Sequence, residues 1–296
     1  MEGKSENKSV NREYKDRLFK YIFGNENHKE FTLSLYNAIN RTSYTSTDDI
    51  EITTIENAVY MGMHNDLSFI IADSMNLYEQ QSTYNPNMPL RMLVYAGQLY
   101  DKFLETNGLK DNVFNSSILQ IPYPRLMVFY NGESYQPDKT ILKLSDAFNE
   151  NAKGDIQVKV TMLNVNYGRN RQLLQRCRPL SDYSLFTTSV REFKRKNKNS
   201  TIDEAVEEAL RLLPDDSEVR KLILEDKAGV AKMILFEYDE EAVLKAYAKD
   251  AEARGRAEGM AQGKAEVAKA MLAKGIDLNT TNQCTGIPVE DLMKLK

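Results

Sequence analysis

Apolar residues recur at two different spacings along this chain, and the change of spacing separates helical regions from strand-rich ones. Near the N-terminus an apolar stripe at helical spacing ends at Gly24, which indicates a helix ending there. This stripe consists of Leu18, Phe19, Ile22 and Phe23. Phe31, Leu35 and Ile39 form the stripe of a second helix. Residues 13–40 are therefore predicted to form two helices.

The middle of the chain is rich in short β-prone runs bounded by turn residues. The predicted strands are 50–60, 66–73, 76–83, 125–130 and 156–165. Ser74-Met75 is predicted to be the hairpin-like connection between the second and third of these strands. One helix, 88–104, interrupts them, with Pro89 near its first turn.

From Arg169 onward the pattern is helical, and the predicted helices are 169–177, 182–197, 201–213, 216–233 and 239–274. The order of helices, strands and helices predicts an α/β fold: a sheet flanked by helices, followed by an all-helical C-terminal region.

The last long helix carries glycines at every fourth position, at Gly255, Gly259 and Gly263. Small residues along one stripe permit close contact between helices, which favours a homo-oligomer formed through 239–274. A loosely helical linker is equally compatible, because each glycine costs about 1 kcal/mol against alanine. The tail, 275–296, is predicted to form two small helices around Thr285-Gly286. It resembles a helix-turn-helix remnant, and its few basic residues favour a packing role.

Amino-acid composition restricts the size of the domain, its compartment and the type of metal site. The 296 residues are 42% hydrophobic and 28% charged, enough for one sizeable α/β domain with a smaller appendage. The two cysteines are far apart in sequence, and no apolar run suits a signal peptide or a membrane span. We therefore expect a reduced cytoplasmic protein without membrane contact. Because there are only two histidines, a metal would be held by oxygen, which suits Mg²⁺ or Mn²⁺.

Motifs of several enzyme classes are absent from the sequence. No GxxxxGK loop occurs, so no nucleotide cofactor is expected. No GxSxG elbow and no cysteine–histidine nucleophile pair is found either.

Charge is distributed unevenly around a net value of −4. Residues 169–198 contain nine Lys or Arg against two acids, whereas residues 201–241 contain thirteen acids against five bases. The basic stretch is as compatible with a phosphate-facing patch as with a solvated helix.

Two acidic residues, Asp66 and Glu79, stand in apolar, β-prone surroundings, where a carboxylate is costly unless it is paired or metal-bound. Strand alternation places Glu79 and Gln81 on one face. If 66–73 and 76–83 pair as an antiparallel hairpin, Asp66 lies near Glu79 and a backbone carbonyl. Such a set of oxygens suits Mg²⁺.

Several short motifs occur in an order that resembles a known family. They are DRLFKYIFG at 16–24, ND at 65–66, EQQST at 79–83, NPNMPLR at 85–91, VFYNG at 128–132 and NYGRN at 166–170. From Asp16 to about Arg176 the chain resembles the PD-(D/E)XK nuclease superfamily, and within it the recombination-promoting nuclease or YhgA-like putative transposase branch. The resemblance implies a restriction-endonuclease-like α/β/α core with a central mixed sheet.

The resemblance also implies roles for individual residues. Asp66 would be the first metal ligand, Glu79 the second and the carbonyl of Gln80 the third, around Mg²⁺ or Mn²⁺. Gln81 stands where the superfamily pattern has lysine, and glutamine donates a hydrogen bond without carrying charge. The implied activity is metal-dependent endonucleolytic hydrolysis of DNA, linked to recombination or mobile elements. The alternative is a catalytically weak or inactive nuclease-fold protein that binds DNA or another partner.

Four further residues are candidates for supporting roles. Lys20 would contact a DNA phosphate, with Asp16 orienting it or assisting the metal; the two could equally form a surface pair one helical turn apart. Arg91 could clamp a phosphate or form an ion pair with an acid of the sheet. His64 could act as a base or be an inert loop residue.

The predicted organisation has five parts. They are a flexible N-terminus at 1–12, a nuclease-like domain at 13–200, a helical extension at 201–238, a long Gly/Ala-rich helix at 239–274 and a small helical tail at 275–296.

Overall fold

The fold was taken from a computed structural model, which describes residues 17–53, 66–149 and 154–294. Its contacts divide the chain into two units, Met1–Asp239 and Glu240–Lys296. The predicted flexible N-terminus at 1–12 lies outside the described residues. So do Asp16, His64 and most of the predicted strand 50–60.

The first unit is built on a mixed sheet of six strands, in the order β1-β2-β3-β4-β6-β5. The strands are β1 Glu51–Ile52, β2 Leu67–Ile71, β3 Ser74–Gln81, β4 Tyr123–Tyr130, β5 Lys139–Lys143 and β6 Lys159–Asn164. Strands β3, β4 and β6 are parallel, while β1–β2, β2–β3 and β5–β6 pair antiparallel. The predicted α/β class is thereby confirmed.

Helices flank the sheet and form the C-terminal region. They are α1 Leu18–Phe23, α2 Lys29–Asn40, α3 Met88–Thr106, α4 Arg171–Arg176, α5 Arg178–Lys196, α6 Ile202–Leu212, α7 Glu218–Glu225, α8 Lys227–Ala273, α9 Leu278–Thr285 and α10 Val289–Lys294. Short 3₁₀ turns occupy Glu26–His28, Asp111–Phe114 and Leu144–Ala147. Among the described residues, no helix combines the length and apolar character needed to cross a membrane.

Strand β3 lies at the centre of the sheet, and all eight of its residues are buried. On one face, Phe19 of α1 stacks on Phe129 of β4 with ring centroids 5.0 Å apart and meets Tyr183 of α5 edge-on. On the other face, one side of α3 packs against Leu77 and Val128. Both faces of the strand that carries Glu79 are thus covered by helices, as a fully buried strand requires.

The β2–β3 hairpin turns two residues earlier than predicted. Ile71 pairs with Ser74, so the turn residues are Ala72 and Asp73, and Ala72 has the left-handed φ of 48° that tight hairpins use. The prediction placed the turn at Ser74-Met75. That was wrong, because Met75 is fully buried in the core beneath α3 and belongs to the strand.

Two other elements differ from the prediction. Strand β5 was missed because it lies at the sheet edge, where only Leu142 is buried and the apolar signal is weak. The predicted helix 216–233 is two helices. The chain leaves helical geometry at Asp226, whose carboxylate accepts a 2.9 Å hydrogen bond from the amide of Gly229 and so caps α8.

The long helix α8 begins before the predicted segment 239–274 and includes nearly all of it. A methyl group added at Gly255, Gly259 or Gly263 would meet nothing within 4 Å, so the small-residue stripe is open in this chain. The two small tail helices are confirmed, with Gly286 between them at φ 70°.

Candidate functional site

The register of the β2–β3 hairpin brings the two predicted metal-ligand carboxylates together. Leu67 pairs with Tyr78, so one further step along each strand sets Asp66 against Glu79. Both are buried, with 7% and 1% of their surface exposed. Asp66 Oδ2 accepts a 2.6 Å hydrogen bond from the backbone amide of Gln80. The Asp66 side chain therefore takes the place of a β2 backbone acceptor for Gln80, beyond the point where the pairing of β2 with β3 ends.

Arg17, which immediately precedes α1, contacts the same end of β3 from the helix side. Its Nη1 donates a 2.6 Å hydrogen bond to the backbone carbonyl of Gln80 and lies 3.7 Å from Asp66 Oδ2. The carbonyl predicted as third metal ligand thus accepts from a guanidinium in this structure. The packing of Phe19 on Phe129 anchors α1 against the sheet and positions Arg17.

Glu79 is paired from the opposite helix. Arg91, in the first turn of α3, places Nη2 2.6 Å from Glu79 Oε1 and 3.2 Å from the hydroxyl of Tyr95. Arg91 therefore forms the ion pair with an acid of the sheet that was one of its two predicted roles. The second oxygen, Glu79 Oε2, is buried and has no hydrogen-bond partner within the described ranges.

Burial raises the pKa of Glu79 to about 8, and the neighbouring negative charge of Asp66 acts in the same direction. Arg91 and Arg17 act against this rise. Two carboxylates enclosed together favour a state in which a positive charge or a proton is shared between them. A divalent cation satisfies the same demand.

Gln81 follows Glu79 on the same face of β3, as strand alternation predicts, and is also directed at α3. Its Nε2 donates to the sulfur of Met88, while its Oε1 is buried without a partner among the described residues. An amide here gives the site hydrogen-bonding capacity but no positive charge. On the same face, Arg91 supplies a positive charge to Glu79.

A third carboxylate, that of Glu237 in the early part of α8, lies on the α1 side of the site. Its Oε1 accepts a 2.9 Å hydrogen bond from the amide of Leu18. Burial raises the pKa of Glu237 to about 7, Arg17 lowers it and Asp66 raises it further. Arg17 therefore offsets acids on two sides, since it faces both Glu237 and Asp66.

The side chain of Gln80 points to the face opposite Glu79 and begins a buried polar chain. Its Nε2 donates to Asn131 Oδ1 at 2.6 Å, and Asn131 Nδ2 donates to the Tyr183 hydroxyl at 3.0 Å. Asn131 also donates from its backbone amide to the carbonyl of Gln81 at 3.0 Å. These bonds fix the carboxyl end of β3 to the turn after β4.

The remaining candidates lie apart or outside the described residues. Lys20 is in the last turn of α1, half-buried, one turn beyond Arg17. Asp16 and His64 fall outside the described residues, so the structure gives no position for either. Asp66, Glu79, Gln80 and Gln81 are thus gathered at one end of β3, together with Arg91.

The donor types at this end of β3 suit a hard divalent cation, because the register sets two carboxylates opposite each other beside the Gln80 backbone and Glu79 Oε2 is an orphaned buried oxygen. No group of three His, Cys, Asp or Glu side chains close enough to hold a metal occurs within the described part of the chain. Any cation here would therefore depend on the Gln80 carbonyl and on water for its further ligands.

Sequence reasoning missed Arg17, Glu237 and Asn131 as members of this site. Arg17 lies within the DRLFKYIFG motif, so its position there was the available signal. Asn131 lies within the VFYNG motif and was interpreted there only as part of a turn. Glu237 sits in a helix with many acids, and nothing in the sequence distinguishes it from the others.

Comparison of the chain with family models, with curated proteins and with solved structures found no match.

Proposed function

We propose that this protein is a metal-dependent DNA endonuclease that hydrolyses phosphodiester bonds. The observation that carries the proposal is the convergence of Asp66 and Glu79 across the β2–β3 hairpin, with Glu79 Oε2 buried and unpartnered in the described part of the chain. The resemblance of residues 16–176 to the PD-(D/E)XK superfamily, with the restriction-endonuclease-like core that it implies, supports the assignment of DNA as substrate. A role in recombination or mobile elements belongs to the same proposal.

Asp66, Glu79 and the Gln80 carbonyl would hold Mg²⁺ or Mn²⁺. Such a cation supplies Lewis acidity, activating water for attack and offsetting charge on the phosphate. The protein residues contribute position. Gln80 is fixed from both sides, by Asp66 at its amide and by Asn131 at its side chain. A rigid strand end of this kind holds the oxygens in place before substrate arrives.

Two arginines neutralise the acids of the site. A cation and the Arg17 guanidinium require the same oxygen atoms, Asp66 Oδ2 and the Gln80 carbonyl. Arg17 is therefore expected to leave these oxygens when a cation binds. Arg91 contacts only Oε1 of Glu79 and leaves Oε2 for the cation.

Gln81 replaces the lysine of the superfamily pattern and reduces the electrostatic help available to the reaction. Its amide can orient a substrate oxygen or a water by hydrogen bonding. Loss of a charged donor at such a position costs several kcal/mol of transition-state stabilisation, on the order of 3 kcal/mol for a single oxyanion donor. Slow turnover is the expected consequence.

Plasmid nicking tests the proposal. Supercoiled plasmid is incubated with the full chain in Mg²⁺, in Mn²⁺ or in EDTA, and nicked and linear products are quantified. Asp66→Asn and Glu79→Gln keep shape but remove ligand charge, and each is expected to reduce cleavage to background. Asp73→Asn makes the same chemical change in the exposed turn at the other end of the hairpin and should leave cleavage unchanged.

Cleavage that persists in EDTA, or that is equal in Asp66→Asn and wild type, would contradict the proposal. All variants are purified by the same procedure, so that cleavage by contaminating nucleases would be equal in every sample. Folding of each variant is verified by its thermal unfolding curve.

A second candidate function is DNA binding by a nuclease fold that does not cleave. The observation that favours it is that Asp66, Glu79 and the Gln80 carbonyl already have arginine partners. In this case the arginine pairs are structural. DNA binding would then be salt-dependent and unaffected by EDTA, and no variant of the site would change it.

A further inference from the structure

An open groove lies at the carboxyl ends of β4 and β6, next to the strand end that carries Gln81. Its volume is about 570 Å³, and Arg169, Arg191 and Arg195 line it together with Tyr135, Asn166 and Thr188. Arg169 belongs to the NYGRN motif, and Arg191 and Arg195 come from the basic stretch at 169–198. The fold has therefore brought two sequence features into one concave surface.

Helical spacing explains why α5 contributes three of these residues. Thr188, Arg191 and Arg195 are separated by three and four positions, which places them on one face of the helix. Arg191 Nη1 donates to Asn166 Oδ1 at 3.3 Å, and Asn166 Nδ2 donates to the Gly132 carbonyl at 3.0 Å. The floor of the groove is thereby fixed to the turn after β4.

One of the residues that line the groove presents an aromatic ring to solvent. Tyr135 is 75% exposed, and the guanidinium of Arg169 lies over its ring at 5.2 Å. An exposed ring beside an arginine is the arrangement on which unpaired bases stack. An apolar small-molecule pocket would have the ring enclosed, whereas this groove is open.

The balance of charge in the groove favours an anion. Arg195 is exposed and has no ion pair within the described residues. Arg169 lies 3.9 Å from Asp138, at the limit of an ion pair. Glu133 and Glu192 also line the groove, and Glu192 is 3.9 Å from Lys196 on its own helix. Among the residues that line the groove there are therefore three arginines and two acids, while Asp138, which does not line it, offsets part of the charge of Arg169.

We infer that this groove binds single-stranded nucleic acid, with backbone phosphates on Arg169, Arg191 and Arg195 and a base stacked on Tyr135. The choice of nucleic acid over other phosphates rests on the proposed function. Asn131, which accepts a hydrogen bond from the Gln80 side chain, is followed by Gly132, and Gly132 lines the groove. A nucleic-acid strand bound in the groove would therefore pass the carboxyl ends of the parallel β-strands.

Fluorescence anisotropy of a fluorescein-labelled oligodeoxythymidylate, in EDTA and across a series of NaCl concentrations, tests the inference. The groove variant is Arg169→Gln/Arg195→Gln, which spares the half-buried Arg191. Loss of two phosphate contacts should weaken binding about tenfold or more and reduce the slope of log K against log salt by about 1.4. Tyr135→Leu should weaken binding about fivefold or more with little change of slope.

The matched control is Lys143→Gln/Lys159→Gln. These exposed lysines pair in register at the other end of the β5–β6 hairpin, away from Asn164 and the groove. The control removes the same charge, so it should leave affinity within about twofold of wild type. Equal losses in control and groove variants would overturn the inference, as would a groove variant that binds like wild type.

Two competitors identify the ligand. Displacement of the oligonucleotide by an equimolar amount of dTMP would overturn the inference in favour of a single-nucleotide site. Tighter binding of duplex than of single strand would also overturn it. Because EDTA is present throughout, the binding measurement does not depend on cleavage. Binding without plasmid nicking would contradict the nuclease proposal alone. Plasmid nicking together with unchanged binding by the groove variant would contradict this inference alone.

Discussion

Arg17 donates a 2.6 Å hydrogen bond from Nη1 to the backbone carbonyl of Gln80, the atom that the family resemblance assigns as a metal ligand. The same nitrogen lies 3.7 Å from Asp66 Oδ2. One positive group therefore serves two oxygens that a cation would also need. A cation bound as proposed would compete with Arg17 for both oxygens, so a variant of Arg17 reports on such binding.

Arg17→Met tests that competition. Leaving the Gln80 carbonyl and Asp66 without their partner should lower the free energy of unfolding by about 1–3 kcal/mol in EDTA. Millimolar Mg²⁺ or Mn²⁺ should then raise the melting temperature of the variant more than that of wild type, because no guanidinium competes for the oxygens. Differential scanning calorimetry measures both. Equal metal responses in the two proteins would show that Arg17 and a cation do not share this site.

The Arg91–Glu79 pair is expected to be strongly coupled. Glu79 is fully buried, so Arg91→Met leaves an unpaired acid in the core and should cost about 3 kcal/mol or more. Adding Glu79→Gln should recover much of that loss, which a double-mutant cycle in urea expresses as a coupling of about 1–3 kcal/mol.

The control cycle uses Lys221→Met and Glu218→Gln on α7. This pair is 2.7 Å apart, nearly as close as Arg91 and Glu79, but both side chains are more than half exposed. Its coupling should be about 0.5 kcal/mol or less, because solvent screens the charges. Similar couplings for the two pairs would mean that burial of Glu79 has no energetic effect.

Gly132 is required where the ends of β3 and β4 meet. A Cβ at this position would lie 1.7 Å from the carbonyl oxygen of Ser82, so Gly132→Ala must displace backbone. We expect a loss of about 3 kcal/mol or more in the free energy of unfolding. Gly97→Ala, in α3 with nothing within 4 Å, should instead stabilise by up to about 1 kcal/mol. Chemical denaturation of the two variants checks the difference in sign.

Asp182 should make stability depend on pH. Burial raises the pKa of this carboxyl, while the Ser217 hydroxyl, which donates a 2.6 Å hydrogen bond to Oδ2, lowers it, as does Arg178. In the unfolded chain an aspartate ionises at about pH 3.9, below its folded pKa. Stability is therefore lost as pH rises from about 4 through the folded pKa, since the unfolded state releases its proton first.

The comparison with Asp182→Asn isolates this contribution. The free energy of unfolding of wild type minus that of the variant should fall as pH rises through this window and be constant above it. Urea unfolding at several pH values gives the difference. An increase with pH would mean that the folded pKa lies below the unfolded one, contrary to the burial of Asp182.

The elements that depend on local periodicity could be predicted from the amino-acid sequence alone. Apolar spacing predicted α1, α2, α3 and the buried strands β2 and β3, because a covered face repeats its apolar side chains at the period of the element. Strand alternation also placed Glu79 and Gln81 on one face. Edge strand β5 was not predicted, because only one of its residues is buried and the alternation of apolar residues arises from burial.

The residues that lie beside Asp66 and Glu79 could not be predicted without the three-dimensional fold. Arg17 and Arg91 come from helices on different sides of β3, and Glu237 is far from both carboxylates in sequence. The same holds for the groove, which Arg169 and Arg195 line together although Arg169 precedes α4 and Arg195 lies in α5. Charge interactions act through space, so the partners of a buried acid depend on how the chain folds and not on its local pattern.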